Sequence, residues 1–267
     1  MYDGVFNIRA IDFYLSKSCN KSCHYCTAWT LQMRNLDVDM KFTSEILEYL
    51  SPYTVRIQLL GGEPGLIKNL DKVIDEIKKH SNLIPSVLSN SFVRKRYPFI
   101  LEDPSILYQE HLVLDFYEDK IEKLGNYEFL EENDNNNYNI IIMTPNYFKY
   151  RKNHDLSIVD HKNTMFKQFN SRAPGYDIED QAPEFDRKMC AAFPKVPVID
   201  FEIQKIRHCS KKVINGSRTF EPTKENIDKM MNYGLFEFED YCKKCTEHID
   251  KRSKDQILNI VSAGKVL

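Results

Sequence analysis

Residues 16–26, with the sequence SKSCNKSCHYC, contain three cysteines in the spacing Cys19-x3-Cys23-x2-Cys26. Three thiolates this close in sequence can bind three corners of an iron–sulfur cubane, because such clusters prefer thiolate ligands. The run has no fourth cysteine, so one iron would stay open to a ligand that the protein does not supply. The alternative is structural zinc, but such a site usually takes four protein ligands. The stretch therefore favours an iron–sulfur cluster with one open iron.

The composition is that of a globular protein. The chain has 267 residues, of which 42% are hydrophobic, enough for the core of one large domain or two smaller ones. A formal net charge of −2 offers no basic surface for nucleic acid. No apolar stretch approaches the ~20 residues of a membrane span, and the N-terminus lacks the features of a signal peptide. Seven cysteines without an export signal indicate metal binding rather than disulfides, so we expect a cytoplasmic protein.

Short apolar runs alternate with amphipathic segments through the first two-thirds of the chain. One helix is predicted from a capping Thr43 to Leu50, and apolar spacing over residues 70–77 predicts another that ends before His80. The predicted strands cover residues 10–15, 55–60, 84–88, 112–116, 140–143 and 156–159. Strands that alternate with helices imply parallel pairing, and an open (β/α)6 barrel fits this order. Ligands of such sheets gather at the carboxyl ends of the strands, where the cysteine loop follows the first strand.

The second predicted strand ends in Gly61-Gly62-Glu63-Pro64. Two glycines let the backbone turn sharply and approach a ligand closely. The carboxylate beside them can accept hydrogen bonds from an ammonium group. Taken alone, this tetrapeptide is an ordinary turn. Its place one strand after the cysteine loop favours a ligand-binding role.

The cysteine spacing, with Tyr25 before its last cysteine, and the GGEP turn together resemble the motifs of the radical S-adenosylmethionine (SAM) superfamily. The resemblance implies an α/β fold, a partial (β/α)6 TIM-like barrel, with a [4Fe-4S] cluster on Cys19, Cys23 and Cys26. In this family the GGEP turn holds the methionine amino group of SAM beside the cluster.

The resemblance also implies SAM-binding roles for four further residues. Tyr25 would lie near adenine, Ser89 and Asn90 follow the third predicted strand, and Asp115 ends the fourth. The alternative for each is an ordinary packing, turn or strand-end role. Thr144 and Asn146, after the fifth predicted strand, are weaker candidates of the same kind.

The last third of the chain has a second set of cysteines. They are Cys190, Cys209, Cys242 and Cys245. Their order resembles the twitch version of the SPASM domain, a small α+β domain that would hold a second, fully ligated [4Fe-4S] cluster. A zinc site on the same four thiolates is the alternative. A change of composition near residue 175 predicts a barrel domain over residues 1–175 and a cluster domain over 176–267.

The resemblance implies that SAM is cleaved reductively to a 5′-deoxyadenosyl radical, with electrons from a flavodoxin- or ferredoxin-type donor. The radical would take hydrogen from a small polar substrate. With all seven cysteines bound to clusters, no thiol could return a hydrogen atom, which predicts a net two-electron oxidation or bond formation assisted by the auxiliary cluster. The alternatives are modification of a ribosomal peptide, radical epimerisation, and a non-catalytic iron–sulfur sensor or electron carrier.

Two further expectations concern the substrate and its surroundings. Only about ten residues precede the first predicted strand, so we expect no N-terminal peptide-recognition domain and a small substrate rather than a peptide. Arg34, Arg207 and His208 lie near cluster cysteines in the sequence, and we expect them to be solvated surface charges.

Overall fold

Nine strands of the described chain form one mixed sheet. The structure, a computed structural model, describes residues 10–21, 36–113, 138–144, 164–168, 197–207 and 219–232. The strands are β1 (Ala10–Tyr14), β2 (Val55–Leu60), β3 (Leu83–Ser89), β4 (Leu107–Val113), β5 (Tyr138–Thr144), β6 (Thr164–Gln168), β7 (Val198–Asp200), β8 (Lys205–Arg207) and β9 (Thr219–Phe220). The helices are α1 (Met40–Leu50), α2 (Leu70–Lys78), α3 (Phe92–Arg96), α4 (Phe99–Glu102) and α5 (Lys224–Met231), and a 3₁₀ turn covers Pro64–Leu66.

The strand order is β6-β5-β4-β3-β2-β1-β7-β8-β9. Neighbouring strands from β1 to β6 all pair in parallel, as the alternation of strands and helices predicts. Strand β7 also runs parallel to β1, whereas β8 and β9 are antiparallel additions at the edge. The carboxyl ends of β1 to β6 therefore lie at one edge of the sheet.

Helices α1 and α2 cover one face of this sheet. Their apolar stripes pack on fully buried strand residues such as Phe13, Ile57 and Val87. The predicted spacing in α2 is confirmed, since all four of its apolar residues are buried. Burial of each such side chain contributes about 1.5–3 kcal/mol, so this face anchors the strand ends that carry the candidate site.

Helix α1 begins earlier than the sequence analysis predicts, and Thr43 is not its cap. Asp39 caps the helix, because its carboxylate accepts hydrogen bonds from the backbone N–H groups of Lys41 (2.9 Å) and Phe42 (3.1 Å). The buried Thr43 hydroxyl donates to the carbonyl oxygen of Asp39 at 2.7 Å. A hydroxyl can bond backward within a helix, so a threonine in this pattern does not by itself mark the first turn.

Strands β4 and β6 also differ from prediction. Strand β4 spans Leu107–Val113 rather than 112–116, because it includes Gln109 and Glu110, polar residues that are nevertheless buried. The strand that pairs with β5 is Thr164–Gln168, and the predicted strand 156–159 lies outside the described residues.

The apolar run between Cys190 and Cys209 forms the β7–β8 hairpin, as its β-like pattern indicates. This hairpin adds to the parallel sheet through β1. Arg207 is not a solvated surface charge: it is 6% exposed, and its Nε lies 2.6 Å from Oδ2 of the fully buried Asp200. The predicted boundary at residue 175 lies outside the described residues.

Candidate active site

The carboxyl ends of β1, β2 and β3 bring the predicted motifs together. Cys19 follows β1, the GGEP turn follows β2, and Ser89 and Asn90 end and follow β3. The parallel register of these three strands places their ends side by side. Strand order predicts that the cysteine loop and the GGEP turn lie at the same edge, whereas Ser89 and Asn90 were assigned to the site from the family resemblance.

The two glycines of the GGEP turn hold the loop that leads to Cys19. The N–H of Gly62 donates to the Ser16 carbonyl at 2.7 Å, and the N–H of Glu63 donates to the Ser18 carbonyl at 2.8 Å. A Cβ on Gly61 would lie 2.4 Å from the oxygen of Ser16, and one on Gly62 would lie 2.0 Å from that of Ser18. Gly61 also adopts φ +145°, which side chains disfavour. The glycines therefore allow a close approach of the backbone, as expected. Among the described residues, the segment that they approach is the cysteine loop.

The Glu63 carboxylate is buried and accepts three protein hydrogen bonds. Its Oε1 accepts from the N–H of Gly65 at 2.9 Å and the hydroxyl of Ser89 at 2.8 Å, and Oε2 accepts from the N–H of Asn90 at 2.8 Å. Burial raises the pKa of Glu63, and the hydrogen bonds and the Lys21 charge oppose this only in part. A carboxylate offers about four acceptor positions, so these donors leave room for one more at Oε2.

Asn90 connects Glu63 to the cysteine loop. Its amide nitrogen donates to Oδ1 of Asn20 at 2.9 Å and to Sγ of Cys19 at 3.4 Å. The N–H of Lys21 also donates to this sulfur at 3.4 Å, and Nζ of Lys21 donates to the Asn90 carbonyl at 3.0 Å. Within the described part of the chain, the buried Oδ1 of Asn90 has no hydrogen-bond partner.

These contacts fit the two groups that the motifs imply. Hydrogen bonds to a cysteine sulfur are a known means of stabilising the anionic ligands of an iron–sulfur cluster, and the Cys19 sulfur accepts from the Lys21 N–H and the Asn90 amide. The free acceptor position on Glu63 and the unpartnered Oδ1 of Asn90 suit an ammonium group, which only donates. The described residues near Cys19 therefore fit a cluster beside the amino end of SAM.

A buried polar network behind Ser89 was missed by the sequence analysis. The Tyr108 hydroxyl donates to Oε2 of the fully buried Glu110 at 3.0 Å, and Nε of Arg94 lies 3.1 Å from the same oxygen. Burial, together with the negative charge of Glu110, raises the pKa of Tyr108, and the neighbouring Ser89 hydroxyl opposes the shift. These residues carry no motif. Only their alternate positions on β4, where Tyr108 and Glu110 share a face, could have grouped them.

The β7–β8 hairpin also holds the cysteine loop. Oε1 of Glu202 accepts from the backbone N–H of Lys17 at 2.6 Å, and its other oxygen lies 3.7 Å from Nζ of Lys17. The Phe201 N–H donates to the Tyr14 carbonyl at 3.0 Å. The loop before Cys19 is therefore fixed from β2 on one side and from the hairpin on the other.

Several predicted ligands lie outside the described residues. They are Cys23, Tyr25, Cys26, Asp115, Cys190, Cys209, Cys242 and Cys245. Over the described ranges, no three His, Cys, Asp or Glu side chains group closely enough to hold a metal ion. Cys19 lies in these ranges, and its thiol is partly buried.

Comparison with known proteins gives structural but not sequence matches. No protein-family model matches the chain, and no curated protein does. The structure of BtrN in complex with AdoMet (SAM) and 2-DOIA matches with a TM-score of 0.53 at 17% identity, over 89% of this chain and 85% of that one. The structure of anSMEcpe with bound AdoMet and the Cp18Cys peptide gives 0.56 at 13% identity, over 89% and 85%. Streptococcus suis SuiB bound to precursor peptide SuiA gives 0.55 at 14% identity, over 94% and 70%.

These three proteins are radical SAM enzymes. The chain shares the fold of these three enzymes. The sheet of parallel strands, with the cysteine loop and the GGEP turn at neighbouring strand ends, is the part of that fold described above. Among the helices of the described ranges, none is long and apolar enough to cross a membrane.

Proposed function

We propose that this protein is a radical SAM enzyme that acts on a small polar substrate. The observation that carries the proposal is the contact between the two motifs: Asn90 bonds both Sγ of Cys19 and the carboxylate of Glu63. When bound, a reduced [4Fe-4S] cluster and SAM would supply a 5′-deoxyadenosyl radical for hydrogen abstraction.

The contacts of Cys19, Glu63 and Asn90 support the roles proposed for the chain. Cys19, with Cys23 and Cys26, would hold the cluster and leave one iron for SAM. Glu63 and Oδ1 of Asn90 would accept from the methionine ammonium of SAM. The buried setting of Glu63 would strengthen that ion pair, because the interaction between two charges at a given distance is stronger where the dielectric constant is low.

A second cluster is proposed on the cysteines of the last third of the chain. Cys190 and Cys209 flank the β7–β8 hairpin in sequence, as the first two ligands do in a twitch domain. A cluster with all four cysteine ligands has no open iron for substrate. Its proposed role is to accept an electron from the substrate radical, which would make the reaction a net two-electron oxidation or bond formation.

Modification of a peptide side chain is the second candidate. Two of the matched structures, anSMEcpe and SuiB, hold peptides. A radical epimerase is disfavoured because no cysteine would remain as a hydrogen donor. An electron donor of the flavodoxin or ferredoxin type would serve any of these enzymes.

The test is SAM cleavage by anaerobically reconstituted protein with dithionite. We expect 5′-deoxyadenosine from the parent, none from Cys19→Ala, and about eight irons and eight sulfides per chain. Exposed Ser44, whose hydroxyl donates to Glu76 on the helix-covered side, gives a matched control in Ser44→Ala. An iron-loaded parent that binds no SAM would refute the enzyme proposal in favour of a sensor or electron carrier. About four irons with one zinc would replace the second cluster by a zinc site.

A further inference from the structure

The face of the sheet turned away from α1 and α2 carries polar side chains on neighbouring strands. Gln58 on β2 pairs in register with Ser86 on β3, and strands in a sheet lie about 4.8 Å apart. Gln109 on β4 points to the same face, and Nε2 of Gln58 donates to its Oε1 at 3.4 Å. Gln58, Ser86 and Gln109 are called the polar row below.

Within the described residues, the side chains of the polar row are largely buried and have few hydrogen-bond partners. Ser86 is fully buried and Gln109 is 7% exposed, in a parallel sheet whose strands are usually apolar on both faces. Among the described residues, Oγ of Ser86 has no hydrogen-bond partner, and the two glutamines share one long hydrogen bond. An unsatisfied buried polar group costs about 1–3 kcal/mol. The row therefore keeps hydrogen-bonding capacity that a ligand can fill.

The chemistry of the row is neutral. Asp12 and Arg56 lie on the same face, and attraction to Asp12 opposes the effect of burial, which lowers the pKa of Arg56. Their charges offset each other, so a charged ligand group would find no unpaired opposite charge in this pair. Amide and hydroxyl side chains both donate and accept, and ligand hydroxyl groups do the same.

The row also lies close to the candidate SAM site. Gln58 is two residues before the end of β2, which places it about 7 Å below the strand edge at a rise of about 3.3 Å per residue. Both motifs follow that edge. A molecule on the row would therefore sit inside the sheet's polar face, next to the site of radical formation.

We propose that the polar row binds an uncharged small molecule with several hydroxyl groups, as part of the substrate site. This inference rests on the proposed radical SAM function. Three groups spread over three strands match several closely spaced hydroxyls. One peptide bond, by contrast, offers a single donor and a single acceptor.

The test uses calorimetric titration of SAM-loaded, reconstituted protein with myo-inositol and D-glucose, and with N-acetylglycine methylamide as a peptide-bond probe. The variants are Gln58→Leu, Gln109→Leu and Ser86→Ala, with Ser44→Ala as control. We expect a polyol to bind the parent and the control, and to bind each glutamine variant about tenfold more weakly, the loss of one or two hydrogen bonds. SAM affinity should stay within about twofold, since that binding uses other residues.

Several outcomes would overturn the inference. These are no polyol binding by the parent, equal binding by the leucine variants, or binding of the amide probe alone. Ser86→Ala guards against misfolding, because it removes an unpartnered hydroxyl and should leave the thermal midpoint unchanged or higher. A lower midpoint with unchanged polyol binding would make the row structural. Failure of the parent to cleave SAM would instead refute the proposed function and leave the polyol titration as a separate result.

Discussion

Replacing Gly62 by alanine tests whether the GGEP turn shapes the cysteine loop. The new Cβ would lie 2.0 Å from the Ser18 oxygen, 2.4 Å from the Ser18 carbonyl carbon and 2.9 Å from that of Lys17. Ordinary contact begins near 3.5 Å, so the loop must retreat by about 1.5 Å. All three neighbours are backbone atoms, and no side-chain rotation can relieve the clash.

The expected loss of unfolding free energy is set by the hydrogen bonds that this movement of the loop would break. It would separate the N–H of Glu63 from the Ser18 carbonyl and that of Gly62 from the Ser16 carbonyl, at about 1 kcal/mol each. Residual overpacking adds about 1–3 kcal/mol. We therefore expect a loss of roughly 3–5 kcal/mol in unfolding free energy. Cys19 would shift with its loop, so iron content should also fall.

The assay combines urea unfolding with iron analysis of the reconstituted protein. Gly65→Ala is the matched control, because the nearest atom to its Cβ is Cδ1 of the Phe92 ring, at 2.8 Å, which can rotate away, and its next neighbours, Oε1 of Glu63 and the backbone nitrogen of Val93, lie at 3.0 Å. We expect the control to lose less stability and to keep its iron. A Gly62→Ala protein with parental stability and full iron content would show that this contact does not shape the cysteine loop.

Four further predictions follow from individual side chains. SAM binding should weaken as the pH falls through the raised pKa of Glu63, because the ammonium needs the ionised carboxylate. In titrations of the SAM affinity, the midpoint of this loss should lie above the pKa of about 4.3 for a free glutamate, and Glu63→Gln should bind SAM weakly at every pH. Asp200→Ala should lower the free energy of unfolding in urea by about 3–5 kcal/mol, because it removes the ion-pair partner of the buried Arg207 charge, and the double variant Asp200→Ala, Arg207→Leu should lower it less. Equal losses in the two variants would contradict a stabilising role of the ion pair. Cys242→Ala should keep 5′-deoxyadenosine formation but lose oxidised product by mass spectrometry, whereas full product would leave the second cluster without a redox role. Turnover in deuterium oxide should yield product lighter by two mass units, and deuterium at an inverted stereocentre would revive the epimerase.

The sequence predicts the fold where strands are apolar. Residues 140–143 are a continuous apolar run, four of the six residues 55–60 are apolar, and both segments lie in strands as expected. The bounds of strand β4 were mispredicted because it buries Gln109 and Glu110, whose burial depends on partners from other strands and helices. The polarity of a single residue does not indicate whether it has a tertiary partner. For the same reason the sequence predicts that Arg207 is a surface charge.

The candidate site shows the same division. The order of the motifs predicts that Cys19, Glu63 and Asn90 meet, because parallel strand ends must converge. It does not predict that Glu63 accepts from the backbone of its own turn, nor that the glycines face Ser16 and Ser18. Those facts depend on distances between segments that are far apart in sequence.

Asn90 makes the two halves of the site interdependent. Its backbone N–H donates to Oε2 of Glu63, while its side-chain amide nitrogen donates to the Cys19 sulfur and to Oδ1 of Asn20. One donor to Cys19 and one donor to Glu63 thus come from the single residue that follows β3, and a movement of the cysteine loop would change both contacts. A site built this way couples the position of the cluster ligand to the orientation of the carboxylate proposed to hold SAM. The proposed hydrogen abstraction would require both groups to be positioned together, and the segment that ends β3 would supply that geometry at little entropic cost.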